Sequence, residues 1–338
     1  MPETLIVRLP NWLGDTVMAV PAVRALRTAR RDARMVLVGP WVTLLAGQGL
    51  AELLVPYPRS WSGRLARWDE VRALDAETIV LLPNSLEAAI AAWYWKVPRR
   101  IGFAADGRGR LLTEAIAVPA PRAHQIDEYL LLVERLGTFA GERTPRLEAP
   151  PAESAARATV RRLLHEAGDS DGAGAVVGIH LGSSYGASKL WPSERIAELC
   201  RLLSGRGDTP VLLGTPADLP LARRVVDETG VRSLVGRDTP ELLTALVAEL
   251  DALVCGDTGV GHLAAALGTP VVALFGPTDP RLSAPRGPVR VVAHSVPCAP
   301  CFYRVCPIDH PCLRGVSAVE VLDTLDSTLA RVARKAVE

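Results

Sequence analysis

The sequence predicts an α/β protein built from two consecutive Rossmann-like halves, and three observations predict it. Short apolar runs bounded by Gly or Pro alternate with amphipathic, helix-like runs. Such alternation implies parallel sheets joined by right-handed crossovers. The pattern stops in a Pro- and charge-rich stretch without periodicity at residues 141–151, and then resumes. The length of 338 residues, at roughly 150 per domain, accommodates two cores.

The elements follow in order. Residues 4–9 form the first strand, 10–14 a turn, and about 15–30 an amphipathic helix. Residues 35–38 and 78–82 are further strands, and their continuous apolar character suits a sheet covered on both faces. Residues 124–136 make a helix. A helix at about 151–167 and a Gly-rich loop precede strands at 176–180, 210–213, 252–255 and 271–275. Helices are expected at 193–203, 219–229, 240–250, 261–267 and 318–336. The domains are expected at 1–150 and 151–316, with a C-terminal helix at 317–338 that packs back on the first domain. Two such sheets are expected to face a central cleft. Ligands of these folds sit at the carboxyl ends of the strands, so the loops to read are 10–16, 181–192, 214–218 and 256–262.

Composition narrows the function. The 38 basic residues nearly balance 37 acidic ones, so charge carries no nucleic-acid footprint. A 49% hydrophobic fraction argues against disorder. Apolar stretches are interrupted well before the roughly 20 residues of a spanning helix. Met1-Pro2-Glu3 leads directly into the first strand, so no signal peptide and a cytoplasmic location are expected. Only three basic residues are lysines, Lys96, Lys189 and Lys335, which makes a Lys in a strand-to-helix loop conspicuous.

Three loops carry chemistry-bearing residues. Gly256-Asp257-Thr258-Gly259-Val260-Gly261-His262 follows a strand and opens a helix. Glycines allow close backbone approach, and a helix N-terminus offers N–H groups to phosphate. The same residues also suit a plain N-cap with turn glycines. The run from Ser183 and Ser184 to Lys189, Trp191 and Pro192 places hydroxyls and a point charge where phosphate oxygens bind, or else forms an ordinary exposed loop. Pro10-Asn11-Trp12-Leu13-Gly14-Asp15 puts a carboxylate at the first helix N-terminus, where it can cap the helix or take a proton from a substrate hydroxyl. The first turn is not G-x-G-x-x-G, which argues against a dinucleotide-binding oxidoreductase.

Residues 9–19, the Lys189-Leu190-Trp191-Pro192 run, and Gly256–His262 with Gly276-Pro277-Thr278-Asp279-Pro280 together resemble the motifs of bacterial lipopolysaccharide heptosyltransferases, in family order and across most of the chain. The Pro-Asn-Trp-Leu-Gly-Asp form is closer to members that add the second heptose. The resemblance implies a GT-B fold and an inverting transfer that requires no cofactor. The implied donor is ADP-heptose and the implied acceptor the lipid A-linked inner core, heptosyl-Kdo2-lipid A, met at the inner face of the membrane. It implies Asp15 as general base and Lys189 on the donor phosphates. It further implies Asp257, Thr258, Gly259, Val260, Gly261 and His262 in the donor loop, Ser183 and Ser184 as phosphate-binding hydroxyls, and Asp218 as a ribose-binding acid. Alternatives are a related transferase using another nucleotide sugar and a non-catalytic nucleotide-sugar-binding protein, which would have no need of Asp15.

Two further features stand beside these motifs. Cys298, Cys301, Cys306 and Cys312 could hold a structural metal or pack a loop as reduced thiols. Six of the seven tryptophans precede residue 100, in a region rich in arginine. Asn11, Trp12, Arg64, Arg67 and Arg108 are therefore expected on the acceptor side, with the arginines facing acceptor phosphates and anionic lipid.

Overall fold

β1 (Thr4–Arg8) is buried along its whole length, as the centre of a two-sided parallel sheet requires. β2 (Arg34–Gly39) and β4 (Thr78–Leu81) flank it in parallel, with Ile6 opposite both Val36 and Ile79. With β3 (Leu53–Pro56), β5 (Arg99–Phe103) and β6 (Glu114–Ile116) the sheet has the order β3-β2-β1-β4-β5-β6. Helices α1 (Leu13–Met18), α2 (Val20–Ala29), α3 (Trp61–Arg72), α4 (Leu86–Tyr94) and α5 (Gln125–Val133) complete this unit. This computed structural model describes residues 3–139, 141–166, 174–237 and 239–337, with side chains given up to residue 331 in the last helix. The Gly-rich loop expected before the second sheet lies largely outside the described residues.

The single helix expected over 15–30 is in fact two. It starts earlier, at Leu13, and breaks at Ala19. Pro21 has no N–H to give to Val17 and its ring crowds the preceding turn. At the second position of a new helix that missing donor is harmless. β3, β5, β6 and β11 (Val289–Ala293) are additional to the expected strands. β3 and β6 are short sheet edges, β11 is an edge interrupted by Arg290, and β5 opens on two arginines, so none presents the apolar run of a central strand.

The second sheet joins β7 (Val176–His180), β8 (Thr209–Leu213), β9 (Ala252–Gly256) and β10 (Val271–Phe275) to β11 in the order β11-β10-β9-β7-β8, all parallel. Its helices are α6 (Ala155–Glu166), α7 (Ser193–Gly205), α8 (Leu219–Thr229), α9 (Leu243–Ala248), α10 (Gly259–Leu267), α11 (Pro280–Ser283), α12 (Pro311–Arg314) and α13 (Ala318–Val337). The chain divides into units Met1–Leu147 and Glu148–Glu338, a boundary inside the Pro-rich stretch. Ala318, Val321 and Leu325 of α13 are buried with Trp191, Ile196 and Cys312 in the second unit's core.

Each sheet has one place where neighbouring strands lead away in opposite directions. In the first it lies between β1 and β4, and in the second between β7 and β9. A crevice opens there at the carboxyl ends of the strands, and ligands bind in it.

Candidate active site

In the second unit the switch point joins residues far apart in sequence. Lys189 follows β7 and Asp257 follows β9, and Lys189 Nζ lies 2.5 Å from Asp257 Oδ2. Thr278, after β10, donates its hydroxyl to the same Oδ2 at 2.7 Å. The Lys189 and Asp257 side chains are only 10% and 9% exposed. Removing two charges from water is costly, and their attraction offsets that cost only with good geometry and additional hydrogen bonds. Thr278 supplies one such bond. Lys189 Nζ also sits 4.4 Å from the ring centre of Tyr185.

The glycines of the loop after β9 have a packing reason. A Cβ on Gly261 would meet Cys255 Sγ at 2.8 Å, and one on Gly256 would meet the Lys189 carbonyl oxygen at 3.0 Å. Their absence lets α10 close on β9 and lets the Lys189 loop lie against the strand. Thr258 is the N-cap residue of α10 without a side-chain capping bond, and Gly259 and Val260 open the helix with its positive dipole end at the switch point. His262 is buried in the first turn. Ser183 accepts a hydrogen bond from the Tyr185 N–H at 3.2 Å, a turn-forming role, while Ser184 is exposed. Asp218 Oδ2 accepts from the Thr215 N–H at 2.8 Å and from its hydroxyl at 2.9 Å. That carboxylate lies against Gly182 and Gly214, where no side chain would fit. Its charge reaches His180 at the end of β7, whose pKa burial lowers and Asp218 partly restores.

In the first unit Asp15 occupies the first turn of α1. The Tyr129 phenol has its pKa raised well above the ordinary value, first by burial and then by the charge of Asp15. Trp12 is 41% exposed, and the Arg59 guanidinium stacks 4.2 Å over its ring. Asn11 is held from beneath, because Arg8 Nη2 donates to its Oδ1 at 2.7 Å. Arg8 is 1% exposed and also donates to the Leu9 carbonyl. Burial lowers its pKa to about 10, against the opposing pull of Glu87.

Arg8 belongs to a buried polar network. Its guanidinium lies 4.7 Å over Tyr57, whose hydroxyl donates to Glu87 Oε1 at 3.2 Å and accepts from Trp68 Nε1 at 2.9 Å. Arg64 Nη1 completes it, 2.8 Å from Glu87 Oε2. Burial, then Glu87, pushes the Tyr57 phenol up to about 12. Arg108, 0% exposed, shapes the loop after β4 that forms the other side of this switch point. It donates to the Pro83 and Ser85 carbonyls and, at 3.3 Å, to Asn84 Oδ1.

Of the arginines expected on the acceptor side, Arg64 and Arg108 are buried, Arg64 donating to Glu87 and the Pro58 carbonyl and Arg108 to Asn84 and main-chain carbonyls. Arg67 is exposed and pairs with Glu70 at 2.5 Å. Sequence reasoning missed Arg8, Asn84 and Glu87. The signal for Arg8 was present, since a charge closing an otherwise apolar central strand must be buried.

The family model for glycosyltransferase family 9 (heptosyltransferase) matches residues 64–311. The chain belongs to this family. Lipopolysaccharide heptosyltransferase 2 of Salmonella typhimurium is 26% identical over 308 residues, 83% of this chain and 85% of the relative. The solved heptosyltransferase II of E. coli superposes with a TM-score of 0.79 at 22% identity, over 97% of this chain and 99% of that one. E. coli heptosyltransferase WaaC, solved with ADP, gives 0.71 at 17% identity over 96% and 99%. The α/β, GT-B fold is thus the expected one, and as a family 9 glycosyltransferase the protein is an enzyme.

In this family 9 enzyme nothing among the described residues supports the structural metal expected at the cysteine segment. Cys298 is exposed, Cys301 and Cys306 are half-buried, and Cys312 is buried, all as free thiols. Among the described residues no group of three or more His, Cys, Asp or Glu is arranged to hold a metal ion. Cys312 packs against Gly276, and burial raises its thiol pKa. It serves the core as a small apolar side chain. Cys200 and Cys255 are core residues, their thiols pushed up to about 12 by burial. Among the described residues no helix is long and apolar enough to cross a membrane.

Proposed function

We propose that this chain transfers L-glycero-D-manno-heptose from ADP-heptose to heptosyl-Kdo2-lipid A, with inversion, at the cytoplasmic face of the inner membrane. The observation that carries the donor half is the Lys189–Asp257–Thr278 cluster at the switch point of the second sheet, next to the start of α10. A diphosphate seated there meets an ammonium and a helix N-terminus, both of which stabilise negative charge. In the reaction an acceptor hydroxyl oxygen bonds to the anomeric carbon as the bond from that carbon to the ADP oxygen breaks. Asp15 takes the hydroxyl proton, and Lys189 with the α10 N-terminus stabilises the charge gathering on ADP. Ser183, Ser184 and Thr258 through His262 line the donor site, Asp218 faces the ribose, and Asn11 and Trp12 meet the acceptor. The first unit takes the acceptor and the second the nucleotide sugar. The Leu9–Asp15 segment and the heptosyltransferase relatives support this reading over a purely binding protein, which needs no carboxylate at position 15.

A thermal-shift screen of ADP-, UDP- and GDP-sugars tests the donor, with stabilisation expected from ADP-heptose. A UDP- or GDP-sugar that stabilises more strongly would sink the assignment. Lys189→Ala is expected to weaken ADP binding by at least about 10-fold, because it removes the charge and leaves Asp257 buried and unpaired. The loss should be greatest at low salt, where screening is weakest. Lys189→Ala/Asp257→Asn should recover part of it, and an unchanged dissociation constant for the single variant would rule out Lys189 as a phosphate ligand.

A further inference from the structure

The cysteine-rich segment bears directly on the loop after β7. The Ser188 hydroxyl donates to the Tyr303 carbonyl at 2.5 Å, and the Ser188 N–H donates to the Arg304 carbonyl at 3.1 Å. The Tyr185 hydroxyl donates to the Phe302 carbonyl. Gly186 lies so close to the Arg304 carbonyl that a Cβ there would collide with it. On the other side, the Cys301 and Phe302 N–H groups both donate to the Pro277 carbonyl, at 3.0 and 2.8 Å. Residues 301–304 therefore tie the loop after β7 to the segment after β10, the two segments that position Lys189 and Thr278.

This tie brings a second cation to the site. The Arg304 guanidinium lies 5.4 Å from the centre of the Tyr185 ring, the same ring that Lys189 approaches. Arg304 is exposed and makes no ion pair among the described residues. Lys189 shares its charge with Asp257, its ion-pair partner. The partial charge of about one half at the start of α10 falls well short of a diphosphate's charge. A planar guanidinium suits phosphate oxygens, which it can meet with two parallel hydrogen bonds.

We propose that Arg304 is a diphosphate-binding residue, held by the 301–304 segment over Tyr185 to add positive charge to that of Lys189, which Asp257 partly offsets. The proposal rests on the second unit being the nucleotide-sugar site. It makes the cysteine-rich segment part of the donor site.

Titration calorimetry of the full chain with ADP and with adenosine, at low and high salt, tests it. Arg304→Ala is expected to raise the ADP dissociation constant about 10-fold at low salt, as for loss of a charge-assisted hydrogen bond. The defect should shrink as salt rises. Adenosine affinity should stay within about twofold, and Arg304→Lys should restore part of the loss. Because Arg304 is exposed, the melting temperature should hold. An unchanged ADP affinity in Arg304→Ala, with wild type binding ADP, overturns the role of Arg304 alone. Equal losses for ADP and adenosine overturn it in favour of a structural role. Failure of wild type to bind ADP at all overturns the donor reading itself, and this proposal with it.

Discussion

Asp15→Asn is expected to reduce kcat by at least about 10²-fold, the low end of what a positioned general base contributes. The substitution is nearly isosteric and keeps a polar side chain in the first turn of α1, so the fold should persist. What disappears is the ability to accept the acceptor's proton as its oxygen attacks. The residues assigned to the donor all lie in the second unit, so the ADP dissociation constant should change little. Asp15→Glu keeps the charge but displaces it by one methylene, and should fall between the two. The decisive measurement is single-turnover transfer from saturating donor. A variant that folds and turns over near the wild-type rate would remove Asp15 from the mechanism.

Glu87→Ala should destabilise the first unit by about 3–5 kcal/mol, the cost of leaving a buried charge without its partner. Glu87 pairs with Arg64 and receives the Tyr57 hydroxyl, while the Arg8 guanidinium lies over the same Tyr57 ring. Its removal leaves two buried guanidinium groups without an anion. Arg64→Met/Glu87→Leu should recover much of the loss, because apolar replacement of a buried pair is often neutral or better. Urea denaturation of the three proteins measures this through the midpoint. A single-variant loss below about 1 kcal/mol, the range of exposed pairs, would mean that water reaches the network. Arg8 also holds Asn11, so Glu87→Ala should lower turnover as well as stability.

The parts of this protein legible in the sequence are those set by local pattern. β1, β7 and β10 are readable because a strand buried on both faces is built around an apolar run, and Leu5–Val7, Val176–Ile179 and Val271–Phe275 supply one each. The motif loops are readable because parallel sheets place their ligands after such strands, and the motifs follow β1, β7 and β9. The edge strands β3, β6 and β11 are buried only in part and so lack the pattern, and the break at Ala19 depends on one proline inside an otherwise amphipathic run. Charge placement was legible only at Arg8, which closes an otherwise apolar central strand. The composition of an arginine is the same on a surface as in a core, and only its partners decide where it sits. Arg64 meets Glu87 from 23 positions away, and Arg108 meets the Pro83 carbonyl from 25. Lys189 meets Asp257 across 68 residues, because β7 and β9 are neighbours in the sheet although not in the chain. The sequence by itself determined the two α/β units, the family and the loops that carry its motifs. Tertiary structure decided which charges those loops expose and which it buries, because burying a charge is tolerated only where a partner from a distant segment arrives to meet it.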